Sequence, residues 1–330
     1  MNDRIEIMLA TDARGLFMAH ITIVSLLESA KGDRKLRINL LVDGFDDSMR
    51  SVIRNEVDKF DFAEVRFIEV KDVMRPHEEF LRKRIFGGMW AMMTWARCFC
   101  DRLLPDVSGK IIYMDTDTCV VDDLSQLFDT DLEGHVFGAV PESSRTSRGS
   151  RVPILDLSEK CAFYFNAGVM LFDIDAYRGR GGSERLLQVI EERGDKILLA
   201  DQDALNCFAD GDVKGLHPRW NYNDGWLEKQ LRFSCKDQDY FGKKPKQILE
   251  AILSPGIVHY QSKNKPWRAN HRPEGRRYEM LMRRLGYLKT RFLPGSTALK
   301  VVERVFFDCY HAILLKVAKA RYALAFRNRV

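Results

Sequence analysis

Short apolar runs alternate with helical patterns along the first part of the chain. Most of these runs lack strict apolar–polar alternation, which is typical of strands buried on both faces. Between them, residues 17–30 and 46–59 repeat apolar positions at helical spacing. A strand followed by a helix, repeated, predicts an α/β fold with a mainly parallel central sheet and flanking helices. The apolar runs are 5–9, 38–42, 65–70, 111–114 and 136–140.

The later part of the pattern is less regular. Residues 163–174 predict two strands interrupted at Asn166-Ala167-Gly168, and residues 257–260 predict a late strand. Residues 201–208 predict the start of a helix with carboxylates in its first turn. Ligands of parallel sheets bind at the carboxyl ends of the strands, so polar residues at those ends are the first candidates for a site.

Two aspartates follow the apolar run 111–114 directly. The chain contains six Asp-x-Asp pairs, and chance produces a few, but only the pair Asp115 and Asp117 directly follows an apolar strand with a tight run into polar residues. Two carboxylates on one short turn suit Mg²⁺ or Mn²⁺, which prefer oxygen ligands. The alternative is a strand-end turn in which an aspartate only accepts backbone hydrogen bonds. These residues alone leave both interpretations open.

Composition narrows the class of protein. The 330 residues are 45% hydrophobic and 30% charged, enough for one large core or two domains. No apolar stretch of about 20 residues predicts a transmembrane helix, and the beginning of the chain does not resemble a signal peptide. There is no glycine-rich phosphate loop, which argues against dehydrogenases and P-loop enzymes. Seven scattered cysteines without a CxxC pair favour neither a disulfide framework nor a zinc site, and they suggest the cytoplasm.

The basic residues are concentrated at the end of the chain. Residues 276–330 carry a net charge of +10, which leaves about −5 for residues 1–275. We therefore divide the chain into a mildly acidic main domain, 1–275, and a basic tail, 276–330. Residues 298–326 place apolar side chains on one helical face, which fits an interfacial helix on an anionic membrane or a helix docked on the core. No nucleic-acid motif accompanies this charge, so a nucleic-acid partner is not expected.

Several blocks, in a fixed order, resemble the glycosyltransferase family 8 enzymes. These enzymes are nucleotide-sugar-dependent, retaining transferases with the GT-A fold, a Rossmann-like fold with a mainly parallel central sheet. They include bacterial lipopolysaccharide galactosyl- and glucosyltransferases and, more distantly, glycogenin. The blocks are LATD (9–12), SLLES (25–29), RCFCDRLLP (97–105), KIIYMDTDTCVVDDLSQLF (110–128), FNAGVML (165–171), DQDALN (201–206), RWNYN (219–223) and HYQSKNKPW (259–267).

The resemblance implies a metal site. Asp115 and Asp117 are similar to the family's carboxylate ligands, and His259 to its third protein ligand. Arg97 resembles the arginine that braces the nucleotide and the metal-binding acids. An imidazole ligand favours Mn²⁺, with Mg²⁺ as the alternative.

The resemblance also implies nucleotide and sugar contacts. Asp12 is similar to the acid that binds the uracil base, and Lys265 to the residue that contacts the diphosphate. Asn166 and Gly168 correspond to a sugar contact and a position of close approach. Asp201 belongs to the DQD block that faces the donor sugar.

The same block implies the catalytic residues. Gln202 is similar to the amide near the anomeric carbon, and Asp203 follows it. Retaining glycosidases need two carboxylates near the bond, and this block does not clearly supply them. We favour departure and attack on the same face of the sugar, with covalent double displacement through Asp203 as the alternative.

Two departures from the family pattern concern the nucleotide. The family has Asn-Tyr where this chain has Arg14-Gly15, and a glycine where it has Ser262. The tyrosine stacks on uracil, so we expect weaker base binding unless another residue, such as Phe17, takes its place.

Together these features predict transfer of galactose or glucose from a UDP-sugar to a glycan or glycolipid acceptor. Lipopolysaccharide core or another cell-surface glycan is the acceptor that the resemblance implies, and the enzyme is expected at the cytoplasmic face of the membrane. The alternative is a nucleotide-sugar-binding protein with little or no turnover.

Overall fold

The computed structural model describes residues 4–84, 92–142, 154–158, 161–223, 245–261, 265–267, 275–287 and 316. Ten strands and eleven α-helices lie within these ranges. The strands are β1 (Arg4–Asp12), β2 (Lys35–Asp43), β3 (Ala63–Glu69), β4 (Lys110–Met114), β5 (Thr118–Val120), β6 (Phe137–Pro141), β7 (Phe165–Asp173), β8 (Val213–Gly215), β9 (Tyr222–Asn223) and β10 (Ile257–His259). The helices are α1 (Leu16–Ser29), α2 (Asp47–Val57), α3 (Lys71–Met74), α4 (Glu78–Arg82), α5 (Cys100–Leu103), α6 (Ser125–Phe128), α7 (Ile174–Gly179), α8 (Gly182–Arg193), α9 (Ala200–Ala209), α10 (Pro245–Leu253) and α11 (Gly275–Arg284).

A seven-stranded sheet in the order β3-β2-β1-β4-β7-β6-β8 forms the centre of the fold. The first four strands in this order are parallel, β7 is antiparallel to β4 and β6, and β8 is parallel to β6. The predicted mainly parallel sheet is therefore confirmed. The carboxyl ends of β1, β2 and β4 lie along one edge, where the polar residues of the first motifs follow.

Both faces of this sheet are covered. On β1, Ile5, Ile7 and Leu9 pack into one hydrophobic cluster with α1 and α2. Met8 and Ala10, which point to the opposite face, pack into a second cluster with the helices around residues 93–104 and 186–209. The apolar runs lack alternation because each face of the strand meets a core.

A smaller sheet, β5-β10-β9, lies beside the carboxyl edge. It is held by polar side chains of α1, an otherwise apolar and buried helix. The hydroxyl of Thr22 lies 2.8 and 2.9 Å from the carbonyl oxygens of Thr116 and Thr118, and Ser25 Oγ accepts a hydrogen bond from the N–H of Val120. These bonds fix the turn that carries Asp115 and Asp117.

The prediction of two interrupted strands at 163–174 is wrong. Residues 165–173 form the continuous strand β7. The backbone near Asn166 stays extended because it finds partners: the carbonyl of Gly168 accepts from the N–H of Asp115, and Asn206 Oδ1 accepts from the N–H of Phe165. Asn and Gly favour turns only when such partners are missing.

Helix α11, near the start of the basic segment, packs on the body of the protein. Tyr278, Leu281 and Met282 are buried in the cluster that contains α1. Tyr287, just after the helix, hydrogen-bonds His20 on α1 over 2.8 Å. The division at residue 275 stays a prediction, and 288–330, including the amphipathic stretch 298–326, lie outside the described residues except for Lys316. None of the helices in the described ranges is long and apolar enough to cross a bilayer.

The burial of His20 beside Tyr287 predicts that the folded protein loses stability in acid. Burial lowers the pKa of His20 to about 4, whereas an unfolded histidine titrates near 6.5. The stability held by neutral His20 is therefore complete above about pH 6.5 and is lost as the pH falls through 4, by up to about 3 kcal/mol. Chemical denaturation at pH 7 and pH 4.5 should show a smaller loss for His20→Gln, which does not titrate. An equal loss in both proteins would contradict this role.

Candidate functional site

Two carboxylates and an imidazole meet at the carboxyl edge of the central sheet. One ligand atom each from Asp115, Asp117 and His259 lies within 4.8 Å of the others. Nε2 of His259 is 3.3 Å from Asp117 Oδ1 and 3.6 Å from Asp115 Oδ2. The structure brings together all three residues that the resemblance implied as metal ligands.

Strand pairing brings His259 to the aspartates. Strand β10 runs antiparallel to β5, so that His259 pairs with Thr118, directly after the Asp115–Asp117 turn. The N–H of Tyr260 donates to the carbonyl of Asp117 over 3.0 Å. The smaller sheet thus fixes the imidazole against a turn that is 142 residues away in sequence.

Gly168 on β7 makes room for this imidazole. A Cβ atom at this position would lie 2.0 Å from Cε1 of His259. The close approach predicted for Gly168 is therefore an approach to a metal-ligand candidate within the protein. On the other side, Nδ1 of His259 is 2.9 Å from Asn221 Oδ1. A hydrogen bond at Nδ1 leaves Nε2 free to face the carboxylates.

Arg97 is buried behind the aspartates and carries a charge there. Its Nη2 donates to Asp115 Oδ1 over 2.6 Å, and its Nε lies 3.0 Å from Asp201 Oδ2. Its Nη1 donates to the carbonyl of Ala167, and its guanidinium lies 4.0 Å from the ring centre of Tyr113. These contacts fit the predicted bracing role: Arg97 ties the Asp115 carboxylate to the DQD block.

A chain of amide hydrogen bonds connects the metal-ligand candidates to Gln202. Asn221 Nδ2 donates to Asn166 Oδ1 over 2.7 Å, and Asn166 Nδ2 lies 3.0 Å from Gln202 Oε1. Asn166 also donates to Glu142. The predicted residues Asn166 and Gln202 therefore lie in one network with His259.

Asp203 is fully buried and bound on both carboxylate oxygens. Oδ1 accepts from the hydroxyl of Tyr164 over 2.7 Å, and Oδ2 accepts from the N–H groups of Leu198 and Leu199 over 2.7 Å each. Gln202 Nε2 donates to the same tyrosine hydroxyl. This geometry suits a residue that fixes the start of α9, and it leaves no open oxygen for attack on a sugar.

Burial and neighbouring charges shift the pKa values of the site's acids in opposite directions. Burial raises the pKa of Asp201 to about 6, and the nearby Asp115 adds to this shift while Arg97 opposes it. Burial also opposes ionisation of Asp117, but His259 and Lys265 outweigh it and hold its pKa well below the usual range. Burial lowers the pKa of His259, and Asp117 and Asp115 outweigh this effect and raise it. Asp117 therefore stays ionised, as a carboxylate ligand of a cation must be.

Lys265 already contacts one of the two aspartates. Its Nζ lies 2.5 Å from Asp117 Oδ2 and 2.5 Å from the carbonyl of Tyr260. The ammonium therefore adds a positive point charge beside Asp117, of the kind that binds anionic groups in proteins.

Asp12 lies on the same edge, at the end of β1. Its Oδ1 accepts from the N–H of Gly15, and its Oδ2 accepts two hydrogen bonds from Arg14 at 3.0 and 2.6 Å. Asp12 therefore makes the hydrogen bonds of a strand-end turn. The same carboxylate is the one predicted to contact the uracil base. Phe17 packs edge-on against Trp267, with 5.4 Å between ring centres, and Ser262 lies outside the described residues.

Sequence reasoning missed several residues of the site. Tyr113 donates to Asp115 Oδ1 over 2.7 Å, Asn221 orients His259, and Tyr164 bridges Gln202 and Asp203. The first two lie in motif blocks, yet a tyrosine in a buried strand and an asparagine after a tryptophan carry no chemical signal of their own. Glu142, which accepts from Asn166, follows β6 without any motif around it.

The residues present fit a divalent cation. Two carboxylates and one imidazole form a mixed oxygen and nitrogen donor set that suits Mn²⁺ and similar metals. The Nδ1 contact with Asn221 orients the imidazole for binding through Nε2. The set leaves coordination positions for oxygens from outside the protein.

Comparison with known proteins identifies the class and the family. The chain has the GT-A glycosyltransferase fold and superposes on an active-site mutant of LgtC with a TM-score of 0.73 at 22% identity, covering 89% of this chain and 99% of that chain. The family model of Glycosyl transferase family 8 matches residues 6–271, and the chain belongs to this family. The predicted family and fold are confirmed.

Relatives within reach of sequence comparison are distant. General stress protein A of Bacillus subtilis (strain 168) is 28% identical over 250 residues, 75% of this chain and 82% of that protein. Lipopolysaccharide 1,2-glucosyltransferase of Escherichia coli (strain K12) is 28% identical over 179 residues, 53% of this chain and 50% of that protein. Galactosyltransferase LgtC in complex with donor and acceptor sugar analogues has a TM-score of 0.70 at 22% identity, covering 89% of this chain and 99% of that chain.

A measurement of Mn²⁺ binding tests whether the space that Gly168 leaves for His259 is needed at the metal site. Gly168→Ala should displace the imidazole and weaken Mn²⁺ binding by roughly tenfold or more, as changes around metal ligands do. Isothermal titration calorimetry measures this, with circular dichroism to confirm folding. Gly179→Ala is the matched control, since no atom lies within 4 Å of a Cβ there. Wild-type affinity in folded Gly168→Ala would remove His259 from the ligand set.

Proposed function

We propose that the protein is a retaining glycosyltransferase that moves a hexose, galactose or glucose, from a UDP-sugar to a hydroxyl of a glycan acceptor. The observation that carries this proposal is the cluster of Asp115, Asp117 and His259 at the carboxyl edge of the sheet. Family membership and the likeness to LgtC, which is solved with donor and acceptor sugar analogues, support the same reaction type.

Mn²⁺ is the proposed cofactor, with Mg²⁺ as the alternative. Asp115 and Asp117 would supply oxygen ligands and His259 a nitrogen ligand. When bound, such a cation supplies positive charge that neutralises a diphosphate and makes it a better leaving group. Imidazole favours Mn²⁺ because Mg²⁺ prefers ligands that are all oxygen.

Lys265 and Arg97 have separate proposed tasks. Lys265, which contacts Asp117, would release it and bind a diphosphate oxygen as a point charge. Arg97 is buried and stays with Asp115 and Asp201. It would hold the carboxylates in position and fix the distance between the metal-ligand candidates and the DQD block.

We propose same-face displacement for the transfer step. The bond between the anomeric carbon and the diphosphate oxygen breaks while the acceptor oxygen bonds to that carbon from the same side. The acceptor proton passes to the departing diphosphate oxygen. Asp203 is bound on both oxygens, which disfavours a covalent intermediate. Asn166 and Gln202 would orient the sugar through their shared network.

The proposal includes the acceptor and the location of the enzyme. Lipopolysaccharide core or another cell-surface glycan on a lipid carrier is the proposed acceptor, supported by the lipopolysaccharide glucosyltransferase relative. The basic tail would hold the enzyme on the anionic cytoplasmic leaflet, where each basic residue near the surface adds about 1 kcal/mol. Nucleic acid is not a proposed partner.

Loss of one carboxylate should abolish metal-dependent turnover. Asp117→Asn should lower release of UDP from a UDP-sugar by about a hundredfold or more, because a charged ligand is lost. EDTA should stop the wild-type enzyme and Mn²⁺ restore it. Asp131→Asn is the control, since Asp131 lies in another Asp-x-Asp pair, and among the described residues its side chain only accepts from the N–H of Glu133. Equal rates for Asp117→Asn and wild type would reject the metal role, and a wild type that binds UDP without releasing it from any sugar would indicate a binding protein.

The stereochemistry of the product tests the transfer step. An α-linked UDP-sugar should give an α-linked product in proton NMR, with no glycosyl adduct on Asp203 by mass spectrometry. Gln202→Ala should lower kcat more than it raises KM if the orienting contact matters in the transition state. A β-linked product would exclude retention, and an adduct on Asp203 would establish double displacement.

Removal of the residues after Tyr287 should leave the catalytic activity on the donor intact. Because α11 packs on the core and Tyr287 contacts His20, a chain ending at Tyr287 should fold and still release UDP from its donor. The full chain should sediment with anionic vesicles at low salt, and 0.5 M NaCl should weaken this binding. Vesicle binding that is unchanged by truncation would place the membrane contact elsewhere.

A further inference from the structure

Helix α11 lies beyond the segment that matches the family. The match to Glycosyl transferase family 8 ends at residue 271, and α11 spans Gly275–Arg284. Tyr278, Leu281 and Met282 are buried, at the spacing of one helical face. Met280 on the same helix is 69% exposed. The helix therefore presents one defined face to the rest of the protein.

Basic side chains attach α11 to the carboxyl end of α1. Nη2 of Arg277 donates to Ser29 Oγ over 2.8 Å, and Nη1 of Arg284 lies 2.5 Å from Glu28 Oε1. Cations near the last turn of a helix also interact favourably with its dipole. Because Thr22 of α1 holds the turn that carries the metal-ligand aspartates, α11 and that turn rest on the same helix.

The ring of Tyr278 contacts two residues that flank Lys265 in sequence. It packs edge-on against Tyr260, with 5.5 Å between ring centres, and its centre lies 5.7 Å from that of Trp267. Tyr260 and Tyr278 are fully buried. Since Phe17 of α1 also packs edge-on against Trp267, rings from α1 and α11 together hold this tryptophan.

The ammonium of Lys265 depends on the same two residues. Its Nζ donates to the carbonyl of Tyr260 over 2.5 Å and lies 5.8 Å from the ring centre of Trp267. Its third contact is with Asp117, which the proposed function has it release for a diphosphate oxygen. The contacts with Tyr260 and Trp267 then hold the side chain in place, which lowers the entropic cost of fixing a flexible lysine on the ligand.

We propose that Tyr278 is a positioning residue for Lys265, and that α11 therefore belongs to the part of the enzyme that binds the donor diphosphate. The ring of Tyr278 fixes Tyr260 and Trp267, and these two residues hold the ammonium where a diphosphate oxygen meets it. This inference rests on the proposed function, because it takes Lys265 to bind the diphosphate of a nucleoside diphosphate.

The ring of Tyr278, and not its hydroxyl group, carries this role. The hydroxyl oxygen is buried, and it has no hydrogen-bond partner within the ranges that the structure describes. Tyr278→Phe should therefore bind UDP as tightly as the wild-type protein. Tyr278→Leu keeps an apolar side chain in the core and removes the flat ring.

Calorimetric titration of UDP in the presence of Mn²⁺ tests the proposal. Tyr278→Leu should weaken UDP binding by about threefold to tenfold, the effect of one or two lost aromatic contacts. Met280→Leu, at the exposed position of α11, is the matched control and should bind as wild type. In a Lys265→Ala background, Tyr278→Leu should cause no further loss, because both changes act through the same ammonium.

Two results would overturn the inference. One is an equal loss of UDP affinity from Tyr278→Leu with and without Lys265, which would mean that the ring acts by another route. The other is a loss in Tyr278→Phe as large as that in Tyr278→Leu. If circular dichroism shows Tyr278→Leu to be unfolded, Phe17→Leu provides the same cycle from the α1 side of Trp267, with an equal loss in both backgrounds again contradicting the account.

The same titrations separate this inference from the proposed function. A wild-type protein that binds no UDP contradicts the proposed donor, and the inference fails with it. Wild-type affinity in Lys265→Ala contradicts the proposed task of Lys265. If Lys265→Ala weakens UDP binding and folded Tyr278→Leu does not, the proposed function stands and the inference alone is wrong.

Discussion

Repulsion between two carboxylates is the constraint on which the site depends. Asp115 and Asp117 lie on one turn, and their ligand atoms and that of His259 fall within 4.8 Å. Two like charges 4 Å apart repel by about 4 kcal/mol at an effective dielectric constant of 20. Arg97 and Lys265 each neutralise one carboxylate from opposite sides. A divalent cation held by Asp115, Asp117 and His259 would add further positive charge between like-charged groups.

The fold holds this charged turn in place from three directions. Thr22 on α1 binds the carbonyl groups of the turn from one side. Pairing of β10 with β5 places His259 next to the turn, and Gly168 on β7 leaves space for the imidazole. A change in any of these elements would move a ligand. The hydroxyl groups of Thr22 and Ser25 in the buried helix α1 are explained by this task, since hydroxyl groups in a core need partners.

The sequence predicts part of this arrangement for physical reasons. Strands β1 to β4 and their carboxyl ends follow from apolar runs, and the aspartates after β4 follow from position and charge. Periodicity cannot predict that β10 lies antiparallel to β5, so the place of His259 came only from the family resemblance. The strand at 163–174 was mispredicted because Asn166 and Gly168 have turn propensity. The residues that hold this backbone extended are distant in sequence: Asp115 donates to the carbonyl of Gly168, and Asn206 accepts from the N–H of Phe165. From sequence alone Asp203 is a candidate nucleophile, because its hydrogen bonds to Tyr164, Leu198 and Leu199 cannot be predicted from sequence.

The most direct test of the metal site is a crystal structure with Mn²⁺ and UDP, with anomalous data that locate manganese. The site described here predicts one strong anomalous peak, bound by carboxylate oxygens of Asp115 and Asp117 and by Nε2 of His259. Diphosphate oxygens should complete its coordination. A peak elsewhere, or UDP bound at this edge without manganese between the two aspartates, would contradict the account.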